Sequence, residues 1–253
     1  KLRALGLEVE MHAKVKGRPN VIGTWKGSGD GPTLIVNDHL DTYPAGNPAA
    51  WTMTDGNPYN PTVQDDKLYS RGTSDTRGNL ACTLLAVEAL KKTGANFSGN
   101  LKCIYTVDEE KHGPNGAIYL LDELGIKGDY EITAEPSGWT RSKADWGIGI
   151  AVAHSGNCLL ELRTEGTKSH LWRPDTGVNS ISKMCKLLTA LEQIQFTHKT
   201  PRYPGGTRPM VCVTRLTAGE PRELQFTPGE CRAIVAIVGI VPGMTLESIL
   251  ADI

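Results

Sequence analysis

The sequence lacks the features that mark several protein classes. No apolar run approaches the roughly 20 residues of a membrane-spanning helix, and the longest, Ala233–Val238, has the length of a strand. Neither sign of charge prevails, because 27 basic residues balance 28 acidic ones and no segment is rich in Lys or Arg. This balance excludes nucleic acid and the membrane surface as partners. We therefore expect a small-molecule partner.

The overall composition is that of an ordinary globular protein. Hydrophobic residues make up 39% of the 253 residues and charged residues 22%, which excludes a disordered chain, a collagen and a coiled coil. Internal repeats and low-complexity segments are absent. A chain of this length is expected to form one large domain or two smaller ones.

The six cysteines form no Cys-x-x-Cys pair, so they predict no thiolate metal site. Cys82, Cys103 and Cys158 lie within apolar helix or strand patterns and are predicted to be small buried side chains. Unpaired cysteines and the lack of a signal-peptide pattern predict a cytoplasmic protein. Because the sequence starts at Lys1 without a methionine, we expect it to be part of a longer protein.

Strands and helices alternate up to about residue 140. Short β-branched or apolar runs predict strands, and apolar residues at helical spacing, closed by Gly94 and Gly125, predict helices. This alternation predicts a parallel or mixed α/β sheet. The predicted strands are Thr33–Val36, Leu101–Val107 and Tyr130–Ala134, and the predicted helices begin at Asn79 and cover Gly116–Leu124.

The pattern changes near residue 147. Leu160 and Leu162 alternate there with Glu161 and Arg163, which predicts a sheet covered on one face only. The β-α-β-β-α order of this half is most of a ferredoxin-like unit and lacks only its last strand. We therefore predict two domains, 1–146 and 147–253. The elements predicted for the second are a strand within Gly147–Arg163, a helix over Val178–Gln195 with the apolar stripe Ile181, Met184, Leu187, Leu188 and Leu191, strands near Met210–Leu216 and Cys231–Val241, and a helix from about Thr245.

Residue types that bind metals follow each strand predicted for the first domain. His39 and Asp41 follow the first strand, Glu109 and Glu110 the second, and Glu135 the third. Because ligands of α/β sheets gather at the carboxyl ends of the strands, these side chains should meet in one crevice. Each motif alone is more typical of a surface turn. Their coincidence in one half of the chain predicts a metal site.

The spacing within these motifs suggests that the residues of each motif have different roles. His39 and Asp41, two residues apart, point to the same side of an extended chain, so one could bind a metal while the other supports it. The neighbours Glu109 and Glu110 point oppositely on an extended chain, so one could bind a metal and the other act as a base. Asp75, in a glycine-flanked loop, could bridge two cations. Carboxylates and imidazole without thiolate suit zinc, or cobalt and manganese in its place.

These motifs, in this order, resemble those of the co-catalytic zinc aminoacylase, deacetylase and carboxypeptidase family, which includes acetylornithine deacetylase and succinyl-diaminopimelate desuccinylase. The resemblance covers essentially the whole chain, and the segment from Glu135 to Gly138 looks like the deacetylase and desuccinylase branch. The matching segments are His39-Leu40-Asp41-Thr42 with Pro44, Arg71–Gly78, Asp108-Glu109-Glu110, Ala134-Glu135-Pro136, Gly166–His170 and Gly177–Ser180.

The resemblance implies a zinc-peptidase-like catalytic α/β domain over 1–146, followed by a ferredoxin-like α+β lid and dimerisation domain over 147–253. It also implies two zinc ions in a complete active site. His39 and Glu135 would bind one zinc, Glu110 would bind the other, and Asp75 would bridge them. The family's later histidine ligand of the second zinc has no counterpart before Ile253, so we expect this chain to hold one zinc tightly.

The resemblance also assigns roles beyond the metals. Asp41 would orient His39, and Glu109 would be the general base. His170 would stabilise the oxyanion, usually in the active site of the partner subunit, which implies a homodimer formed through the lid domain. Asn179 would help to bind the substrate.

The activity implied is that of a metal-dependent amidohydrolase that removes an acyl group from an N-acyl amino acid. A dipeptidase or carboxypeptidase of the same family, acting on a short peptide, is the alternative within enzymes. A non-catalytic relative that dimerises or binds a ligand is a third. The uncharged segment Ala236–Val241, where the family usually has Asp and Arg before Pro-Gly, favours this third alternative. Glu109 and His170 argue against it, because a binding protein needs no general base.

Overall fold

The computed structural model describes residues 1–136, 149–151, 153–198, 209–220, 222 and 224–253. The chain divides into two compact units, Lys1–Ile150 and Ala151–Ile253. The first unit is α/β with a mixed sheet and the second is α+β, which confirms the predicted fold class. Ser137 and Gly138, part of the segment that suggested the deacetylase branch, lie outside the described residues. So does the predicted boundary at residue 146.

The first unit contains a five-stranded sheet, a small hairpin and one long helix. Its elements are β1 (Glu8–Val15), β2 (Arg18–Lys26), β3 (Thr33–His39), the hairpin β4 (Thr62–Gln64) and β5 (Lys67–Tyr69), α1 (Gly78–Lys92), β6 (Asn100–Thr106), a short helical turn Tyr119–Glu123 and β7 (Tyr130–Thr133).

The large sheet has the strand order β1-β2-β6-β3-β7. Strands β6, β3 and β7 run parallel, as the alternation of strands and helices predicts. Strands β1 and β2 extend the sheet in antiparallel fashion. Because parallel neighbours end on the same edge, the segments that follow β3, β6 and β7 are brought together.

Each face of this sheet has its own apolar core. On one face Leu101, Cys103 and Tyr105 of β6 pack with Val87 of α1. On the other face the core includes Ile35 of β3, which packs with Ile22, Ile104 and Leu120. Alternate residues of a strand point to opposite faces, so a nearly continuous apolar run such as β6 is needed to fill both cores.

The second unit packs two helices against a three-stranded antiparallel sheet of order β8-β10-β9. Met184 is fully buried among inward residues of β10 such as Val235 and Ile237. Along β8, exposed residues alternate with half-buried ones, which confirms the prediction of a sheet covered on one face. Its elements are β8 (Gly156–Glu165), α2 (Ser180–Glu192), β9 (Met210–Ala218), β10 (Glu230–Ile240) and α3 (Leu246–Asp252).

Three burial predictions were wrong in detail. Cys82 is exposed, whereas Cys103 is buried and Cys158 is half-buried. Leu90, one of the apolar residues at helical spacing that predict α1, is 43% exposed, and Ile181 of the α2 stripe is 36% exposed. In α1 the buried positions are Thr83 and Val87, so the helix turns Cys82 and Leu90 away from the sheet.

Among the described residues no helix is both long and apolar enough to cross a membrane.

Candidate active site

The register of the parallel strands brings the predicted site residues of the first unit together. His39 is the last residue of β3 and pairs with Thr106, the last residue of β6. Asn37 pairs with Thr133, the last residue of β7, two positions before Glu135. The acidic segments after β6 and β7 therefore begin beside His39.

His39 lies at the centre of this cluster, and its side chain is only 2% exposed. Its Nε2 is 2.9 Å from Asp75 Oδ1, 3.7 Å from Glu135 Oε1 and 3.9 Å from Glu109 Oε2. His39, Asp75 and Glu110 each offer a ligand atom, and these atoms lie within 4.8 Å of one another. An imidazole and several carboxylates around one small volume are a donor set that suits zinc and similar divalent ions.

Asp41 contacts both halves of the cluster. His39 Nδ1 is 3.0 Å from the backbone oxygen of Asp41 and 3.5 Å from its carboxylate. The carboxylate also accepts hydrogen bonds from the backbone N–H groups of Glu109 and Glu110, both at 3.2 Å. Asp41 therefore lies where it can orient His39, and it anchors the glutamate turn as well, which the sequence pattern did not predict.

The loop that carries Asp75 is tied to the segment after β7. Asp75 interrupts the wide helical turn Thr73–Arg77 with an extended backbone conformation, and the peptide bond that follows it is cis. The Thr76 hydroxyl donates to the Ala134 carbonyl at 2.7 Å, and Asn79 Nδ2 donates to the same oxygen at 2.9 Å. These bonds hold Asp75 close to the glutamate at position 135.

The expectation that Glu109 and Glu110 lie on an extended segment was wrong. Asp108 adopts a left-handed conformation (φ 60°), and the chain then forms the short helical turn Glu109–Lys111. A left-handed residue reverses the chain direction, so β6 cannot continue beyond it. The two side chains still reach different groups. Glu110 Oε1 accepts the Tyr43 backbone N–H at 2.8 Å, whereas Glu109 approaches His39.

The cluster raises the pKa of its imidazole. Burial lowers the pKa of His39, but the hydrogen bond to Asp75 and the negative charges of Glu135, Glu109 and Asp41 outweigh burial, so the pKa lies above its ordinary value. A proton on His39 is thus favoured as the positive partner of these carboxylates. A metal ion could take the place of this proton.

The carboxylates also have raised pKa values. Burial raises the pKa of Glu110, and the charge of Asp75 raises it further. Burial likewise raises the pKa of Glu135, against the lowering effect of His39. Like charges held together with partial burial favour the neutral acid unless a cation compensates them. The electrostatics of these residues therefore fit a bound divalent cation.

The other two predicted site residues lie in the second unit. His170 is exposed, stacks edge-to-face on Phe226 and accepts the Trp172 backbone N–H at Nδ1, 3.3 Å away. Asn179 Oδ1 caps helix α2 by accepting from the N–H groups of Ile181 and Ser182. Asn179 thus has a structural role that its motif did not indicate.

Comparison with known proteins gives a family match and a curated relative. Residues 35–240 match the model of peptidase family M20/M25/M40. A succinyl-diaminopimelate desuccinylase from Rickettsia felis (strain ATCC VR-1525 / URRWXCal2) is 30% identical over 172 residues, which are 67% of this chain and 44% of that protein. The chain thus spans less than half the length of this relative.

Solved structures share the fold at low sequence identity. A metallo-carboxypeptidase of family M20 from Sulfolobus solfataricus has a TM-score of 0.71 and 18% identity, with 99% of this chain and 66% of that chain covered. A dipeptidase from Saccharomyces cerevisiae has a TM-score of 0.69 and 16% identity, with 99% and 64% covered. A tripeptidase from Staphylococcus aureus has a TM-score of 0.66 and 20% identity, with 99% and 60% covered. At these identities the likeness is one of fold.

Proposed function

This chain belongs to peptidase family M20/M25/M40, and on that premise we propose that it forms the metal-binding part of an amidohydrolase. The observation that carries this proposal is the group formed by His39, Asp75 and Glu110, whose ligand atoms lie within 4.8 Å of one another. Glu135, whose Oε1 is 3.7 Å from His39 Nε2, is the fourth ligand we assign. Bound divalent ions supply Lewis acidity, which polarises a substrate carbonyl and eases the ionisation of water.

We assign the general base to Glu109. Its carboxylate lies 3.9 Å from His39 Nε2 and its side chain is 52% exposed, so it borders the cluster and is open to substrate and water. As a base it would take the proton of the attacking water and then deliver it to the leaving amine. Such proton transfer contributes about 10²–10⁴-fold to the rate. Asp41 would keep the Glu109 backbone in place through the bond to its N–H.

We assign the oxyanion-stabilising donor to His170. Because its Nδ1 accepts the Trp172 N–H, the proton of the neutral imidazole lies on Nε2. A protonated Nε2 on an exposed ring is the donor that a developing oxyanion requires. We further propose a homodimer in which His170 of each subunit serves the active site of the other. Asn179, whose oxygen caps α2, would contact substrate through Nδ2.

The substrate that we propose is an N-acyl amino acid, from which the enzyme removes the acyl group. The support is the desuccinylase relative at 30% identity. The test is to load the natural protein that contains these residues with Zn²⁺ or Co²⁺ and to measure amine release from N-succinyl and N-acetyl amino acids and from dipeptides. Faster cleavage of the acyl amino acids supports the proposal. Faster cleavage of dipeptides would reassign the substrate, and no cleavage by metal-loaded protein would support a non-catalytic relative.

The action of His170 across a dimer has its own test. The variants His170→Ala and Glu109→Ala should each be inactive, while their mixture should regain part of the activity. A mixed dimer contains one site with both residues if His170 acts on the partner subunit. If His170 serves its own subunit, the mixture stays inactive. Sedimentation analysis of each variant serves as the control for dimer formation.

A further inference from the structure

The turn that carries Glu109 and Glu110 is held from outside the metal cluster by a buried carboxylate. The Asp108 side chain is 2% exposed and forms an ion pair with Arg18, at the start of β2. Asn115 Nδ2 also donates to the Asp108 carboxylate, at 2.5 Å. Asp108 directly precedes the two glutamates, so the contacts of its side chain with Arg18 and Asn115 hold the start of the turn in place.

Asp108 needs such support because its backbone is left-handed, with φ 60° and ψ 23°. This conformation is uncommon outside glycine and persists where the surrounding structure imposes it. The Asp108 carbonyl closes the turn by accepting the N–H groups of Lys111 at 3.1 Å and Gly113 at 2.7 Å. The conformation of the turn therefore depends in part on how the buried Asp108 side chain is held.

A second set of bonds fixes the neighbouring backbone. Asn20 is fully buried; its Oδ1 accepts the Val107 N–H at 3.0 Å, and its Nδ2 donates to the Asn115 carbonyl at 2.8 Å. Asn20 and Arg18 both belong to β2, which contributes no residue to the metal cluster. The end of β6 and the far side of the turn are thus attached to the same strand.

We propose that Arg18 and Asn115 are positioning residues for Glu109 and Glu110, acting through Asp108. The turn is held on the cluster side by Asp41, which accepts the N–H groups of both glutamates, and on the other side by Arg18 and Asn115. The inference rests on the proposed function only in treating Glu110 as a metal ligand. The arrangement of the turn itself is independent of any metal.

The first experiment needs no metal. The turn contains Lys111, so limited digestion with trypsin in the presence of a chelator reports how often the turn opens. We expect Arg18→Met to speed cleavage after Lys111 by about 10-fold, because partner loss leaves the Asp108 carboxylate buried without its cation. Lys26→Met, at the exposed end of the same strand, removes the same charge and should leave this rate unchanged.

The second experiment measures Co²⁺ binding by its absorption spectrum. Arg18→Met should weaken Co²⁺ affinity by about 10-fold and change the absorption bands, as loss of a supporting partner does at metal sites. Arg18→Lys should restore both properties, because Arg18 contacts Asp108 through one nitrogen, Nη2. Circular dichroism of each variant verifies that the fold is kept.

The two experiments separate the proposals. Unchanged cleavage after Lys111 in Arg18→Met overturns the positioning role, whether or not the protein binds metal. If Arg18→Met is cleaved faster but the unsubstituted protein binds no Co²⁺, the positioning role is supported and the proposed function is contradicted. If Arg18→Met does not fold, Asn115→Ala keeps the ion pair and removes the second contact to Asp108. It should raise the cleavage rate by about 3-fold, and an unchanged rate would then overturn the proposal.

Discussion

In the first unit, several negatively charged side chains lie close together around His39. On the sheet of the second unit, positively and negatively charged side chains alternate. Around His39 the carboxylates of Asp75, Glu109 and Glu135 approach within 4 Å of a single nitrogen. On the outer face of the second sheet, Arg232 contacts Glu161 at 3.0 Å and Arg163 contacts Glu230 at 2.6 Å. Both arrangements contain carboxylates, but each of these carboxylates in the second unit faces an arginine.

The difference indicates which unit needs a ligand. The exposed pairs of the second unit are balanced and lower the pKa of Glu230, through its bond to Arg232. In the first unit burial raises the pKa of Glu110 and of Glu135. Partly buried charges of one sign cost free energy that a cation can offset, whereas a balanced exposed row requires none.

The largest effect is expected from Asp75→Ala, because the family resemblance implies that Asp75 bridges two metal ions and because its ligand atom lies beside those of His39 and Glu110. Metal affinity should fall by roughly 100-fold or more, since even supporting partners of a ligand are worth 10–100-fold. Elemental analysis after dialysis measures the loss. Asp175→Ala, which removes an exposed carboxylate paired with Arg173 in the second unit, is the matched control. Undiminished zinc in Asp75→Ala would refute the assignment.

The paired glutamates should separate metal binding from catalysis. Glu110→Ala should lose metal at one site, because Glu110 belongs to the ligand group with His39 and Asp75. Glu109→Ala should keep its metal and lose about 10²–10⁴-fold in turnover, as expected for a missing general base. Metal content and turnover rate test the two assignments. Both are measured for each variant of the natural protein that contains these residues. The reverse pattern, with metal lost in Glu109→Ala, would exchange the two roles.

The stability of the metal-free chain should fall as pH rises. The folded pKa values of His39, Glu110 and Glu135 all lie above the ordinary values, 6.5 for the imidazole and 4.5 for the carboxyls. At these three residues the folded chain therefore binds more protons than the unfolded chain. For His39 the resulting stabilisation is complete below pH 6.5 and is lost as pH rises through the folded pKa. The glutamates act in the same direction from above pH 4.5.

Unfolding in chelator, followed from about pH 5 to about pH 8, measures this decline in the free energy of unfolding. Zinc at the upper pH should restore stability, because the cation binds the folded state and replaces the lost protons. The variant Glu135→Gln should show a shallower decline than the parent. Stability that rises with pH in the absence of metal would contradict the charge balance described for this cluster.

The smallest effect is expected in the second unit. Arg232→Met removes contacts to Glu161 and Glu230, but these side chains are solvent-exposed and such pairs contribute little. The melting temperature should fall by no more than a few degrees, and metal affinity should stay at the parental value. A marked loss of metal in Arg232→Met would show that the two units are not independent in their electrostatics.

The parallel strands and the residues that follow them were predictable from sequence, because apolar runs and the acidic segments after them are local patterns. Strands β3, β6 and β7 were placed within a few residues of their observed bounds. The hairpin of β4 and β5 was missed. Its turn has Asp65 and Asp66 in left-handed conformations, where asparagine and glycine are the usual signal.

The tertiary structure decided how the candidate site is held together. Nothing in the local pattern pairs Asp41 with the backbone of Glu109, 68 positions away, or Asp108 with Arg18, 90 positions away. The left-handed Asp108 also replaced the extended segment expected there. Such contacts depend on the order and register of the strands, which local spacing does not encode.

The sequence by itself determined which chemical groups stand at the carboxyl ends of the strands, because residue identity and strand polarity fix that choice. Only the tertiary structure decided how far the groups are buried and which backbone N–H groups they accept. Burial and charge proximity set the pKa values of His39, Glu110 and Glu135. Both are properties of packing between distant segments, and so is the affinity for a cation that we propose for this cluster.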